Sequence, residues 1–189
     1  MNELTLDLTR KYSEPWRRYH NLLHIAKMFS DAAKYGIRLS EKQEWAIWFH
    51  DAIYVPGKKD NELESAAFAA ERLHELNWAY PDINEVREII LSSSDHIPRS
   101  EESKAVIDLD LLPLADEELY WRNIALIRKE YRSLSECQWI EGRTAWLNKF
   151  LARKNVYTTE LFINSAMEEI ARQNLQKELS EIEKTKKPL

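Results

Sequence analysis

An all-α fold is the class this sequence predicts, and three observations predict it. Apolar residues recur at three- and four-residue spacing through most of the 189-residue chain. Strand-like alternation is scarce, and only three glycines occur, Gly36, Gly57 and Gly142. Helix-capping signals punctuate the periodic stretches. The expectation is a single helical domain over 1–189 with about eight or nine helices, since a chain of this length supports one sizeable core and shows no repeat or convincing linker.

A short first helix is expected from Leu4 to Tyr12, broken at Ser13-Glu14-Pro15. The second covers about Trp16 to Tyr35, where Gly36 is a natural stop. Ser40 opens the third, with Gln43 placed for a capping box, and it reaches Ile53 with Trp45, Trp48, Phe49 and Ala52 at helical spacing. Val55-Pro56-Gly57-Lys58-Lys59 is the clearest loop. Asn61, with Glu64 three residues on, caps a fourth helix of about Glu62 to Leu76, in which Ala66, Ala67, Ala69 and Ala70 let a neighbour approach closely. Asp82 and Glu85 start a fifth that ends near Ser94-Asp95-His96, before Pro98. The sixth is short, about Glu101 to Leu109, and Pro113 limits it. The helices of 116–184 complete the core: one from about Asp116 to Arg132, one capped by Ser135 and Gln138 and running to Arg153, and a last from Glu160 towards Lys184, opened by Thr158 or Thr159. Trp121, Trp139 and Trp146 could line a core or a dimer face, with core packing the expectation. The charged end, Glu178 to Lys187, is expected to fray into solvent.

Composition excludes several functions. Apolar residues make up 44% and the formal charge is −5, the profile of a soluble globular protein rather than a binder of nucleic-acid polymers or anionic membranes. An anionic small molecule stays possible, because a metal ion supplies positive charge locally. No apolar run approaches the roughly 20 residues of a membrane span. A single cysteine, Cys137, rules out an intrachain disulfide, and Met1-Asn2-Glu3-Leu4 lacks the basic and apolar regions of a signal peptide. A cytoplasmic location is expected.

Three stretches carry the chemistry. Trp45-Ala46-Ile47-Trp48-Phe49-His50-Asp51 ends an aromatic, apolar run in an adjacent imidazole and carboxylate. A buried carboxylate needs compensation, and a divalent cation supplies it to both groups. Tyr19-His20-Asn21-Leu22-Leu23-His24 offers two imidazoles four residues apart, on one face of a helix with Cβ atoms roughly 6 Å apart. Asp108-Leu109-Asp110 places two carboxylates among apolar side chains. Taken singly each has a plainer reading: a core histidine bonded to a carbonyl, a helix-end aspartate, a cap for the next turn. Asp51 is the odd one, since a negative charge in the last turn of a helix opposes the helix dipole. Together they make a nitrogen and oxygen donor set of two histidines and two aspartates, suited to one divalent cation, Mn, Fe, Co, Ni or Zn, within about 17–111. Such an ion activates water and polarises a phosphoryl oxygen.

The order His24, then His50-Asp51, then a later aspartate resembles the HD superfamily of metal-dependent phosphohydrolases, an all-helical fold. Tyr12-Ser13-Glu14, Arg18-Tyr19-His20-Asn21, Phe49-His50-Asp51, Asp60-Asn61-Glu62, Ser65-Ala66, Ser94-Asp95-His96 and Asp108-Leu109-Asp110-Leu111 are similar to a bacterial branch of that superfamily. So are Phe150-Leu151-Ala152-Arg153 and Ala171-Arg172-Gln173-Asn174-Leu175 in the tail. The resemblance implies His24, His50, Asp51 and Asp110, in preference to Asp108, as ligands of one divalent metal, Mg included. The segment from Tyr19 to His24 is also similar to the start of the cyclic-nucleotide phosphodiesterase catalytic domain, which implies His20 as the acid that protonates the leaving oxygen. Asp51 on that analogy helps hold the attacking hydroxide.

Two departures bear on substrate. Relatives that cleave the guanosine alarmone carry two acidic residues shortly after the His-Asp pair, where this chain has Ala52-Ile53-Tyr54-Val55. Deoxynucleotide monophosphatases of the superfamily place a glutamate where Tyr54 stands. Glu62, just beyond the loop, is the candidate base, with a helix-N-terminal carboxylate as its plainer reading. Arg18, Asn21, Lys58, Asn61 and His96 are the candidate substrate-binding residues, and Arg17, Lys59 and Arg99 are further cations able to steer a phosphate. The expected activity is hydrolysis of a small phosphoester, with a nucleotide the favoured class. Two rivals stand beside it: a metal- or nucleotide-binding module without turnover, and a dinuclear iron oxygenase that requires both His74 and His96 as ligands.

Overall fold

Residues 3–186 are described by a computed structural model, and all regular structure among them is helical, with no strand. The all-α expectation is met. The chain divides into two units, Met1–Asp110 and Leu111–Leu189.

The first unit holds α1 (Glu3–Tyr12), α2 (Leu22–Lys34), α3 (Glu41–Phe49), α4 (Asn61–Glu75), α5 (Tyr80–Ser92) and most of α6 (Glu101–Leu111). Ser40 and Gln43 form the expected capping box at the start of α3. Gly36, at φ +68°, follows the end of α2, where its lack of a Cβ admits the left-handed turn. Ala66 and Ala69 of α4 are fully buried and let α4 lie close against α5. Leu8, Ile25, Met28, Ile47, Phe49, Leu73, Val86 and Ile89 build the core from five helices.

Two boundaries differ from the periodicity, and each has a physical cause. The second helix starts at Leu22, not near Trp16, because Asn21 adopts an extended backbone and its side chain accepts from the Leu23 N–H at 2.9 Å. His20 therefore lies before the helix that carries His24. The third helix stops at Phe49 with His50 as its C-cap, short of Ile53. The Ile53 N–H, which a helix reaching Ile53 would give to the Phe49 carbonyl, goes to Ser65 Oγ at 3.0 Å, and the Asp51 and Ala52 carbonyls beyond the helix end accept from the guanidinium of Arg17 at 2.6 and 3.0 Å.

The second unit contains a 3-10 turn (Leu112–Ala115), α7 (Glu117–Glu130), α8 (Glu136–Leu151), α9 (Glu160–Ile163) and α10 (Ala166–Lys186). Asp116 caps α7, and Ser135 with Gln138 caps α8 as expected. The last predicted helix is interrupted after Ile163, where the Ser165 hydroxyl accepts from the Met167 N–H and α10 begins anew. Its charged end stays helical to Lys186 and is mostly exposed, as expected of a solvated stretch, except that Glu178 is buried and accepts from Arg143 at 2.8 and 2.9 Å and from the Tyr120 hydroxyl. Lys187, the last residue of that expectation, lies outside the described residues. Trp121, Trp139 and Trp146 are half-buried. No helix among the described residues is long and apolar enough to cross a membrane.

Candidate metal centre

Three separate segments of the first unit bring imidazoles and carboxylates to one point. Asn21 starts α2 so that His24 stands in its first turn, buried under the ring of Tyr19 at 4.9 Å between centroids. The end of α3 delivers His50 and Asp51, both buried. Near the end of α6, Asp110 stands beside His24.

His24, His50 and Asp51 offer donor atoms that all lie within 4.8 Å of one another and can hold a metal ion. The Nε2 atoms of His24 and His50 are 3.3 Å apart, and Asp51 Oδ2 is 3.1 Å from His50 Nε2 and 4.0 Å from His24 Nε2. Asp110 Oδ1 is 3.2 Å from His24 Nε2. Ligand atoms at about 2.1 Å from a cation stand roughly 3.0 to 3.4 Å from their neighbours and about 4.2 Å from an opposite ligand, by simple geometry from metal–nitrogen and metal–oxygen lengths. The four observed separations fall within that span. Asp110 reaches His24; Asp108, two residues earlier and about 200° away round the helix, is fully buried.

The hydrogen bonds behind these groups set their state. Nδ1 of His50 lies 2.9 Å from the Ile47 carbonyl, so Nδ1 carries the proton and Nε2 is the atom directed at Asp51 and His24. His96 Nε2 lies 3.1 Å from Asp110 Oδ2, the oxygen not used towards His24. His96 takes this position at φ +53°, a left-handed conformation uncommon for a residue with a Cβ. Burial disfavours the charged form of His50, but the Asp51 carboxylate beside it prevails and raises its pKa to about 9. Burial likewise opposes the charge of Asp51, and the imidazoles of His50, His20 and His24 hold it well below the usual carboxylate range. Asp110 is depressed against its burial by His24 and His96. This is a concentrated set of opposite charges in a buried place, the environment in which functional groups cluster.

The remaining candidates divide between the centre and the scaffold. His20 borders the centre: its ring centroid is 6.2 Å from that of His24 and 4.1 Å from that of Tyr54, and its charge acts on Asp51. Glu62, near the start of α4, is half-buried; burial pushes its carboxyl up, and the Asp51 charge adds to the shift. Asn21 uses its side chain as the cap of α2 and donates Nδ2 to the Arg18 carbonyl. Asn61 is buried and laces the loop before α4, accepting from the Val55 N–H and donating to the carbonyls of Val55 and Lys58. Lys58 is exposed and pairs with Glu64 and Asp60. Arg18 is exposed. His74 is exposed, faces the Tyr80 ring at 5.7 Å and is not one of the His24, His50 and Asp51 group.

Arg17 is the residue whose role the sequence obscures. Expected as a cation able to steer a phosphate, it is 5% exposed and donates to the carbonyls of His20, Asp51 and Ala52 and to the Glu14 carboxylate. Tyr12, also buried, donates its hydroxyl to the Trp48 carbonyl one turn before the centre. The only sequence signal for either was their place in the Tyr12-to-His20 stretch.

No family model, curated protein or solved structure matches the chain.

Proposed function

We propose that the chain is a metal-dependent phosphohydrolase of the HD type, acting on a small phosphoester with a nucleotide as the favoured class. The observation that carries this reading is the convergence of His24, His50 and Asp51 within 4.8 Å of one another, with Asp110 3.2 Å from His24. These four residues would hold one divalent ion of the Mn, Fe, Co, Ni, Zn or Mg type, and their mixed nitrogen and oxygen donors suit such a cation. When bound, that ion lowers the pKa of water and polarises the phosphoryl oxygen.

The chain's own residues have distinct tasks in this reading. His96 fixes the second oxygen of Asp110 and so aims the first. Glu62, its carboxyl pushed up by burial, accepts the proton of the attacking water. His20, seated on Tyr54 beside His24, delivers a proton to the departing oxygen. With a single, exposed cysteine, Cys137, in the sequence, we place the enzyme in the reducing cytoplasm.

The test is a panel of phosphomonoesters and phosphodiesters with added Mn²⁺, Co²⁺, Ni²⁺ or Mg²⁺, run beside metal analysis of the purified protein. Turnover abolished in Asp51→Ala supports the reading. Metal bound without turnover of any phosphoester supports a binding module, which the Ala52-Ile53-Tyr54-Val55 sequence after the pair favours. Two irons per chain would support the oxygenase, against which the exposed place of His74 stands.

A further inference from the structure

We infer that Arg17 is the positioning residue of the candidate metal centre, a clamp that holds the His20 segment and the His50-Asp51 turn in the mutual placement a cation requires. The inference rests on the metal-site reading above and adds a residue that touches none of the proposed ligands' side chains.

The geometry is that of one planar group bridging two remote pieces of backbone. Nη1 donates to the His20 carbonyl at 3.2 Å and to the Asp51 carbonyl at 2.6 Å, while Nη2 donates to the Ala52 carbonyl at 3.0 Å. Nε donates to Glu14 at 2.8 Å. The rings of Tyr12 and Trp16 each lie 5.2 Å from the guanidinium carbon and that of Tyr54 lies 5.7 Å away, so the cation sits in an aromatic box. One wall of that box, Tyr54, carries the His20 ring on it.

A buried charge is a poor device for stability alone, because well-packed apolar residues of similar volume often do as well. Here its one carboxylate partner, Glu14, is substantially exposed, and the other acceptors are neutral carbonyls. What a guanidinium does that an apolar group cannot is hold three carbonyls at fixed angles. α3 ends at Phe49, and by holding the Asp51 and Ala52 carbonyls just beyond that end Arg17 fixes the turn in which the adjacent side chains of His50 and Asp51 meet at one point. Along an uninterrupted helix they would diverge by about 100°. Without the clamp that turn loses its tie to the His20 segment, and Asp51 Oδ2 is free to move off His50 and His24.

The experiment is Co²⁺ titration of the full chain, following the visible ligand-field bands, on wild type, Arg17→Met, Arg17→Lys and Arg143→Met. Helix content and thermal unfolding without metal are measured alongside. Arg143→Met removes a buried cation of the second unit and controls for loss of stability. Arg17→Met is expected to bind Co²⁺ about 10- to 100-fold more weakly, the range for groups that orient metal ligands, with altered band positions or intensities. Arg17→Lys, a point donor without the fork, should fall between it and wild type. Arg143→Met should lower the unfolding temperature and leave the spectrum unchanged. If Arg17→Met does not fold, Arg17→Lys decides: at least severalfold weaker binding with a changed spectrum supports the clamp. Wild-type affinity and spectrum in a folded Arg17 variant overturn it, while leaving the metal site standing. Wild type that takes up no Co²⁺ overturns the metal site itself, and the clamp with it.

Discussion

The Nε2 atoms of His24 and His50 lie 3.3 Å apart in a buried place, although 26 residues separate them in the chain. Nδ1 of His50 is committed to the Ile47 carbonyl, so protonation of Nε2 and binding of a cation there exclude each other. Competition between proton and metal follows from that single contact.

Metal uptake should release protons. His50 has a pKa raised to about 9 in the metal-free protein, so it is largely protonated at neutral pH and must lose that proton to become a ligand. Rising pH removes the competitor; apparent affinity should therefore climb between about pH 7 and 9, by up to roughly tenfold per unit for one displaced proton, and level off above. Calorimetric titration of Co²⁺ or Mn²⁺ in buffers of different ionisation enthalpy measures the proton count. An affinity flat across this range would refute the assignment of His50.

His96 and His74 should behave oppositely. His96→Ala removes the bond that orients Asp110 and is expected to weaken metal binding about 10- to 100-fold. His74→Ala, at an exposed ring against Tyr80, should leave affinity and stoichiometry unchanged. Metal analysis of both variants after dialysis separates the two. Loss of metal in His74→Ala would revive a second metal position.

Asn21 should act through the helix it starts. Asn21→Ala is expected to destabilise the protein by about 1 kcal/mol, with Asn21→Asp or Asn21→Ser restoring most of it, because each of these supplies a capping oxygen. Denaturant unfolding measures the effect. Were Asn21→Asp fully stable yet defective only in substrate KM, the amide would have a binding role beyond the cap.

Glu178 should matter despite its place in a highly charged terminal stretch. Glu178→Ala leaves Arg143 and the Tyr120 hydroxyl without their buried acceptor and is expected to cost about 3–5 kcal/mol. Glu181→Ala, one turn on and surface-paired with Lys184, should cost under about 1 kcal/mol. Equal midpoints for the two variants in urea would contradict the burial of Glu178.

Local chemistry was legible where neighbours in sequence decide it. The capping boxes at Ser40 with Gln43 and Ser135 with Gln138, and the stop at Gly36, depend on residues within a turn of one another. The meeting of His24 with His50 and Asp51 was read from donor chemistry, and the preference for Asp110 over Asp108 came from resemblance. What stayed hidden needed partners far along the chain. Arg17 bonds 34 and 35 residues ahead, and Glu178 reaches back 35 residues to Arg143 and 58 to Tyr120. Periodicity reports which face a residue shares with its neighbours, not which remote donor will claim its oxygen. Asn21 was obscured differently, since the same amide that suits a ligand suits a cap.

Arg17 addresses oxygens that every amino acid possesses. Changing the side chain at Ala52 leaves the acceptor atom in place, whereas changing Glu14 removes the one partner that is chemically particular. In any homologue that keeps this architecture, variation at position 17 should therefore be matched at position 14 and in the surrounding rings, not at 51 or 52. Drift of that kind would let the main-chain frame persist while the reactive groups it presents diverge towards other substrates.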